Sequence, residues 1–400
     1  MVIVSMLEKY PFQTFWNSLI LYNSKKPEIK QKAGEIIENL TFDKRTIFRK
    51  IVEFSEKLTN ISKSTLKKLC FSDFPEFKDL LPSKINIPGQ MTEINSIKDE
   101  IVVFHSLQMP KKIILVGEDG ISYEMIVKFK DDLRKDSRYM DLDNLLNKIF
   151  DDGYYIRNYN VIPFTHDSGI IQFVPNLINL KEIVYSKYNN INETIYKFTK
   201  FKRIGGNNLP GLCSQFKSVY CNYLMNNFNN PYLFYTSREN YIKTYAIMNI
   251  VGWFMGLGDR HTENIHFDKI NGDTVHVDLN YIFDKAKSLE IPEKVPFRLT
   301  QNIIDGFGIL GVNGTYKQTM KYTLGILKDN RDVIQANLLS FVFDPLFEWA
   351  WKKAEPTKII EGMNKKLDYE DEDEKVEELI EEATDIDNLG SIYIGWMPFI

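Results

Sequence analysis

Along the first 95 residues, apolar positions recur at mixed three- and four-residue spacing, the period of helices that bury one face. Tyr10 to Asn23 (YPFQTFWNSLILYN) and Lys25 to Leu40 (KKPEIKQKAGEIIENL) both carry it. Thr41-Phe42-Asp43 then opens a further helix through KRTIFRKIVEFSEKL, with Asp43 the expected N-cap. Pro82 to Gln90 (PSKINIPGQ) is a proline-glycine loop and reads as a boundary. From about residue 101 the period shortens to that of strands. IVVFHSL and KKIILVG are followed by the turn Glu118-Asp119-Gly120 and then ISYEMIVKF, a hairpin. A helical stretch (LRKDSRYMDLDNLLNKIF) and strands around YYIRNYNVIPF and GIIQFV follow. Beyond Pro175 the pattern is mainly helical, with one short hairpin in NIHFDKINGDTVHVDL turning at Asn271-Gly272. A β-rich lobe joined by one extended segment to a larger helical lobe predicts a two-lobed layout with an interlobe cleft, a common ligand position.

Composition narrows the class. The 400 residues are 44% hydrophobic and 26% charged, enough for a full-sized core. The three cysteines (Cys70, Cys213, Cys221) are too few for a disulfide framework and lack zinc spacing, so a reducing compartment is expected. The opening MVIVSMLEKYPF has neither a basic n-region nor a long apolar core and is not expected to be a secretory signal. The apolar run Met248 to Leu257 falls far short of the ~20 residues of a membrane span, so no membrane insertion is expected. Net charge is −4, but Asp368 to Asp387 alone carries −11, leaving +7 on the rest. That mildly basic body is compatible with binding phosphates and too weak to predict direct nucleic-acid binding. The basic-aromatic run KFTKFKR (Lys197 to Arg203) reads as a solvated helix end.

The chemistry concentrates in Gly256-Leu-Gly-Asp259-Arg260-His261-Thr-Glu-Asn264-Ile-His266 and Val275-His276-Val277-Asp278-Leu279-Asn280. Asp259 and Asn264 have the Asp-x-x-x-x-Asn spacing of a kinase catalytic loop. Phosphoryl transfer needs a carboxylate to orient and deprotonate the attacking hydroxyl. It also needs an amide oxygen and a second carboxylate for magnesium, a hard cation that keeps positions open to phosphates. Asp278 lies fourteen residues past Asn264, beyond a hairpin that can return it to Asn264's side. Any one of these residues alone is an ordinary loop or capping residue; the ordered set is not. Lys128, ending the strand YEMIVKF, is the candidate for the ATP phosphates, with Asp136 the first choice of anchoring acid and Asp131 the reserve. The turn Gly117-Glu118-Asp119-Gly120 before it is not a Walker loop.

GLGDRHTENI, VHVDLN, VPFRLTQNII and the terminal LGSIYIGWMPFI together resemble the phosphoinositide-3-kinase-related protein kinases. FKDDLRKDSRYMDLDNLLNKI, YNVIPF with GIIQFV, EEATD and YIGWMPF resemble that family's branch of ATR-type DNA-damage checkpoint kinases. The resemblance runs from about residue 7 to the C-terminus. It implies an α+β, two-lobed protein-kinase-like fold with an N-terminal helical segment and C-terminal FATC helices. By position, residues 1–40 would end a FAT-like helical region and 41–95 would form a reduced FRB-like bundle. Residues 96–355 would be catalytic (N-lobe 96–174, C-lobe 175–355), 356–369 a linker or regulatory segment, and 370–400 the FATC element.

The resemblance also implies roles. Lys128 would contact the ATP phosphates with Asp136 as its anchor, and Phe173 and Val174 would form the hinge, the Val174 backbone bonding adenine. Gly117, Gly120, His266 and Val277 complete the expected ATP site. Asp259 would orient or deprotonate the hydroxyl, His261 would stabilise the transferring phosphoryl, and Asn264 and Asp278 would hold Mg2+, with Mn2+ as an alternate. Residues 278–296 would be the activation loop. Lipid-directed relatives carry a dense basic run there, whereas here Lys285, Lys287 and Lys294 are mixed with Asp284, Glu290 and Glu293. That near-balance favours proteins as substrates, by resemblance at serine or threonine followed by glutamine, in a nuclear checkpoint pathway. The aromatic tail is expected to be a packed strap, and the acidic run a solvated helix face or a disordered insert.

Leu279 stands where a kinase metal motif has an aromatic residue, and His266 where the family usually has Leu or Met beneath adenine; both are expected to alter rate or ATP affinity rather than the reaction. The family's helical-repeat arms do not fit into the roughly 95 residues before the catalytic region. The chain is therefore expected to be either a reduced kinase or a fragment, and partner binding through those arms does not carry over. The alternatives are a phosphoinositide lipid kinase of the same superfamily and a non-catalytic scaffold, the latter disfavoured because Lys128, Asp259, Asn264 and Asp278 are all present.

Overall fold

The computed structural model describes residues 2–81, 84–106, 108–188, 193, 208–343 and 356–400. The KFTKFKR run lies outside the described residues, as do residues 344–355 at the end of the expected C-lobe. The chain divides into two compact units, Met1–Met140 with Tyr159–Pro175, and Asp141–Asn158 with Asn176–Ile400.

The first unit opens with four helices, α1 (Val2–Lys9), α2 (Pro11–Tyr22), α3 (Pro27–Glu38) and α4 (Phe42–Lys63). Seven strands follow: β1 (Leu69–Cys70), β2 (Ile94–Ile97), β3 (Glu100–Val103), β4 (Lys111–Gly117), β5 (Ser122–Phe129), β6 (Val161–Pro163) and β7 (Ser168–Gln172). They form one antiparallel sheet in the order β1-β3-β4-β5-β7-β6, with β2 also paired to β4. The β4–β5 hairpin is in the expected register, Val116 opposite Ser122. Asp43 is not the cap of α4: the capping position is Thr41, whose hydroxyl donates to Glu8 Oε2 at 3.0 Å, and Asp43 lies in the first turn.

Helices and sheet share one core. Phe15, Trp16, Phe48 and Phe54 from the helices join Ile113, Leu115, Met125, Val127 and Ile170 from the sheet. Residues 84–90, inside the stretch read as a boundary, belong to it too. Ile85 and Ile87 are buried, the Trp16 indole donates to the Asn86 carbonyl at 2.9 Å, and the Asn86 amide donates to the Phe12, Ile87 and Gln90 carbonyls. Proline and glycine here shape a turn inside a domain rather than a linker. β4 alternates inward and half-exposed positions, and one inward residue is Lys111. Its ammonium donates to the Ser62 and Ser64 carbonyls at 2.8 and 2.6 Å, satisfying orphan acceptors at the end of α4. Burial pushes its pKa down.

Helix α5 (Arg134–Leu146) carries the chain from the first unit into the second. The second unit holds a three-stranded sheet, β8 (Leu177–Asn179), β9 (Ile265–Asp268) and β10 (Thr274–His276), ordered β10-β9-β8. The β9–β10 hairpin turns at Gly272 with φ 83, as expected. Strand β8 was not foreseen: three residues are too few to show alternation, and its conformation is set by pairing with β9. Residues 154–160 (YYIRNYN) are not a strand. Tyr155 donates to Asp273 at 2.5 Å and Arg157 approaches Asp273 at 3.6 Å, fastening this segment to the hairpin by side chains.

Around that sheet lie α6 (Leu180–Tyr185), α7 (Leu209–Gln215), α8 (Tyr220–Asn227), α9 (Pro231–Met255), α10 (Gln301–Phe307), α11 (Thr315–Asp329), α12 (Arg331–Phe343), α13 (Pro356–Lys365), α14 (Glu372–Thr384) and α15 (Ile386–Ser391). Helix α9 starts at Pro231, capped by the Asn230 side chain, and residues 244–252 are buried on every side. The apolar run around Met248 is thus a core helix, and no described helix is long and apolar enough to cross a membrane. Gly256 ends α9 in the left-handed region at φ 63; a Cβ there would lie 2.4 Å from the Asp284 amide nitrogen. Only glycine permits that approach.

The shared core of the first unit makes a direct prediction. Trp16→Ala removes a large ring and a hydrogen bond and is expected to cost about 3–5 kcal/mol. Denaturant unfolding followed by helix and strand signals should show both shifting together; a shift confined to the helical signal would mean that the helices form a separate core.

Candidate active site

Past Gly256 the chain enters a loop whose backbone is held by side chains as well as by main-chain bonds such as Gly258 N–H to Tyr281 O at 2.8 Å. Asp259 is left-handed at φ 58. Its N–H donates to Glu293 Oε2 at 2.8 Å, and its carbonyl accepts from Asn264 Nδ2 at 2.9 Å. The second bond fixes the Asn264 amide and leaves Oδ1 as the atom a cation would meet. Burial raises the Asp259 carboxyl pKa, opposed by His261 and Arg260 and reinforced by Asp278. His261 Nδ1 accepts the Glu263 N–H at 3.1 Å, which places the proton of a neutral ring on Nε2. Burial favours that neutral form.

The hairpin returns Asp278 as expected. His276 pairs with Ile265, and the next residue, Val277, donates its N–H to the Asn264 carbonyl at 3.1 Å. Arg260 locks this junction. Its guanidinium donates to Gly258 O at 2.9 Å, Val277 O at 2.9 Å and Asn264 O at 3.5 Å, and also to Asp278 O. Asp278 is exposed and left-handed at φ 56, with Asn280 Nδ2 3.3 Å from its Oδ1. Leu279 is fully buried, so the aliphatic residue keeps the packing role. His266 is half-buried and burial pulls its pKa down to about 4, which leaves it neutral near pH 7.

The donor set suits a magnesium ion. Among the described residues no group of three or more His, Cys, Asp or Glu side chains could hold a metal. One amide oxygen and one carboxylate are too few for a protein-enclosed cation and appropriate for one completed by phosphate oxygens and water.

In the first unit, Lys128 on β5 lies opposite Gly169 on β7, and its ammonium meets Asp131 Oδ2 at 2.9 Å. Asp131 was the reserve acid; Asp136 is buried in the first turn of α5. The Gly117–Gly120 turn has a local explanation: Gly120 is at φ 77, and Asp119 accepts from Ile121 N–H and the Tyr123 hydroxyl at 2.9 and 2.7 Å. The Phe173 N–H is spent on Glu124 O at 2.9 Å, and Lys112 sits over its ring at 4.5 Å. Val174, next along, is half-buried and makes no hydrogen bond to the described residues.

Sequence reasoning missed two supports. Glu293, counted as a surface charge, is 8% exposed, and burial pushes its carboxyl pKa up to about 7. Arg298 sits in the motif VPFRLT without an assigned role. It is buried, donating to Arg260 O at 2.7 Å, Met397 O at 3.2 Å and Trp396 O, and its guanidinium lies 3.6 Å from the Trp396 ring centre. The Asn302 N–H and side chain close on Ile400 O at 2.9 and 2.7 Å. The aromatic tail is therefore a buried strap, as expected. The acidic run is helix α14, not an insert. Its Asp373, Glu377 and Glu372 pair with Lys321, Lys317 and Lys328 of α11.

A sheet-bearing unit and a helical unit of this kind define the protein-kinase-like class, and the sequence of the family described as phosphatidylinositol 3- and 4-kinase matches residues 122–351. The chain belongs to that family. The FATC domain matches residues 372–400. More particularly, the chain is 45% identical over 408 residues to the probable serine/threonine-protein kinase MEC1 homolog of Encephalitozoon cuniculi, covering 100% of this chain and 23% of the relative. It is 30% identical over 479 residues to the serine/threonine-protein kinase ATR of Arabidopsis thaliana, covering 100% and 17%. A solved structure, the FAT and kinase domain of CtTel1, superposes with a TM-score of 0.89 at 24% identity, covering 100% of this chain and 32% of that one. The chain thus spans about a fifth of the length of the curated relatives it matches.

Glu293 gives a pH prediction. Its folded pKa is raised by burial from 4.5 to about 7, so the folded state holds this proton where the unfolded chain releases it. Its contribution to stability is complete below pH 4.5 and is lost as pH rises through about 7, on the order of 1–3 kcal/mol. Melting temperatures between pH 4.5 and 8 should show this component in the wild type and lack it in Glu293→Gln.

Proposed function

We propose that this chain carries the catalytic region of an ATP-dependent protein serine/threonine kinase of the ATR type. The observation that supports this most is the Asp259–Asn264–Asp278 set, gathered onto one loop and hairpin and locked by the Arg260 guanidinium. In this reading Asp259 orients the substrate hydroxyl and accepts its proton. Neutral His261 donates from Nε2 to the transferring phosphoryl oxygens. Asn264 Oδ1 and the Asp278 carboxylate hold Mg2+, which when bound neutralises phosphate charge. Lys128 contacts the ATP phosphates with Asp131 or Asp136 as its anchor, and the Val174 backbone, His266 and Val277 each contribute to holding adenine. Gly117 and Gly120 serve the adjoining turn.

The substrate reading turns on residues 278–296. Glu293 is buried and Asp284 is engaged by Lys366 and Lys287 at 3.0 and 3.2 Å, so the exposed charges are Asp278, Lys287, Glu290 and Lys294. That balance is not the dense basic run a polyanionic headgroup requires. Serine or threonine of proteins as the acceptor follows from the resemblance and from the relatives' names; the glutamine after it and a place in nuclear DNA-damage signalling follow from the resemblance alone. A phosphoinositide remains the second substrate class because of those two exposed lysines.

The test is ATP-dependent transfer to a Ser-Gln peptide and its Ser-Ala counterpart, with magnesium and then manganese, alongside phosphoinositide vesicles. Transfer favouring Ser-Gln is expected, and activity on vesicles alone would assign a lipid kinase. Asp278→Ala should lower transfer by roughly three orders of magnitude or more. Retained activity in that variant would remove Asp278 from the metal site.

A further inference from the structure

We infer that Glu293 is a positioning residue for Asp259, holding the backbone of the proposed base from the segment that follows Asp278. The inference rests on the phosphotransfer reading of Asp259.

Asp259 occupies a conformation that an L-residue adopts at a cost of about 1–2 kcal/mol, so its surroundings must enforce it. Its carbonyl is held by Asn264 from within the loop. The N–H and the next carbonyl are held from outside it, by residues five apart. Glu293 Oε2 accepts the Asp259 N–H at 2.8 Å, and Arg298 Nε donates to the Arg260 carbonyl at 2.7 Å. Glu293 is well placed for this. Its own N–H closes on Ala286 O at 3.2 Å, and its neighbour Val295 is buried.

Gly258 makes the approach feasible. A Cβ at that position would lie 2.1 Å from the Ala286 Cβ and 3.2 Å from Glu293 Oε2. The loop and the 286–293 segment are in contact there with no room for a side chain. Glu293 is 8% exposed and aims an oxygen at one amide, within the field of the Arg260 and Arg298 guanidiniums but hydrogen-bonded to neither. Ordering of residues 286–293 is therefore transmitted to Asp259 through a single acceptor atom, and displacement of that segment releases the Asp259 N–H.

Two substitutions separate acceptor from charge. Glu293→Gln keeps an oxygen at the same reach and loses the charge. Glu293→Asp keeps the charge and withdraws the oxygen by one methylene. With ATP and the Ser-Gln peptide, kcat is expected to fall roughly 10–100-fold in Glu293→Asp, with KM for ATP within about threefold of wild type, and to stay within about threefold in Glu293→Gln. Amide hydrogen exchange at Asp259, read without ATP or peptide, should quicken at least about tenfold in Glu293→Asp and little in Glu293→Gln. Equal exchange in the two variants, or a Glu293→Gln enzyme as impaired as Glu293→Asp, overturns the inference. If the wild type transfers phosphate to no substrate the function proposed above fails, while hydrogen exchange still decides whether Glu293 holds Asp259.

Discussion

A buried guanidinium with no carboxylate in hydrogen-bond range among the described residues organises the second unit. Arg298 is 1% exposed and spends its donors on carbonyls of Arg260, Trp396 and Met397 and on the Thr300 hydroxyl. Removing a guanidinium from water costs several kcal/mol, so each of those acceptors must be in place for the fold to be tolerable. The carbonyl acceptors come from two distant stretches of chain, the 256–266 loop and the C-terminal strap. The strap is thereby a structural part of the loop, although roughly 130 residues separate them in sequence. Burial pulls the Arg298 pKa down to about 9, which leaves it charged at neutral pH and keeps all its donors available.

Arg260 also binds main-chain carbonyls, one step nearer the chemistry. It too is buried, and it joins Gly258, Asn264, Val277 and Asp278 through their carbonyls. Backbone acceptors suit this task better than carboxylates would. They fix main-chain position without adding negative charge beside Asp259, whose pKa is already raised. The resulting loop holds two left-handed aspartates in place, a pre-organisation that an electrostatic phosphotransfer site requires before substrate arrives. In the first unit Lys111 does similar work for α4, again a cation on carbonyls in an apolar setting.

What the sequence made legible was local. The β4–β5 hairpin, the β9–β10 hairpin, the start of α5 and the Asp-x-x-x-x-Asn spacing all depend on residues within about fifteen positions, where periodicity and turn chemistry speak directly. Strand β8, the burial of residues 84–90 and the roles of Glu293 and Arg298 depend on partners 34 to 99 residues away. A glutamate in a loop reads as a solvated charge until an amide is found opposite it. Lys128 is instructive in the same way: Asp131 and Asp136 both follow within eight positions, and spacing could not rank them. The catalytic candidates could be named because their chemistry requires rare residue types in order, whereas their supports are common residues made special by location.

The facing charges of α11 and α14 bear on the order in which the chain assembles. Their pairs, Lys317 with Glu377, Lys321 with Asp373 and Lys328 with Glu372, are largely solvated at the acid and so add little to the depth of the native well. Coulomb attraction acts over about 10 Å, well before apolar side chains touch. The acidic helix follows α11 in the chain, so it is synthesised after the lysine row that it meets. Its charges therefore serve as a guide rather than a glue: they bring the helix in along one line and in one register, and burial of Trp396 and Phe399 then makes the arrival permanent.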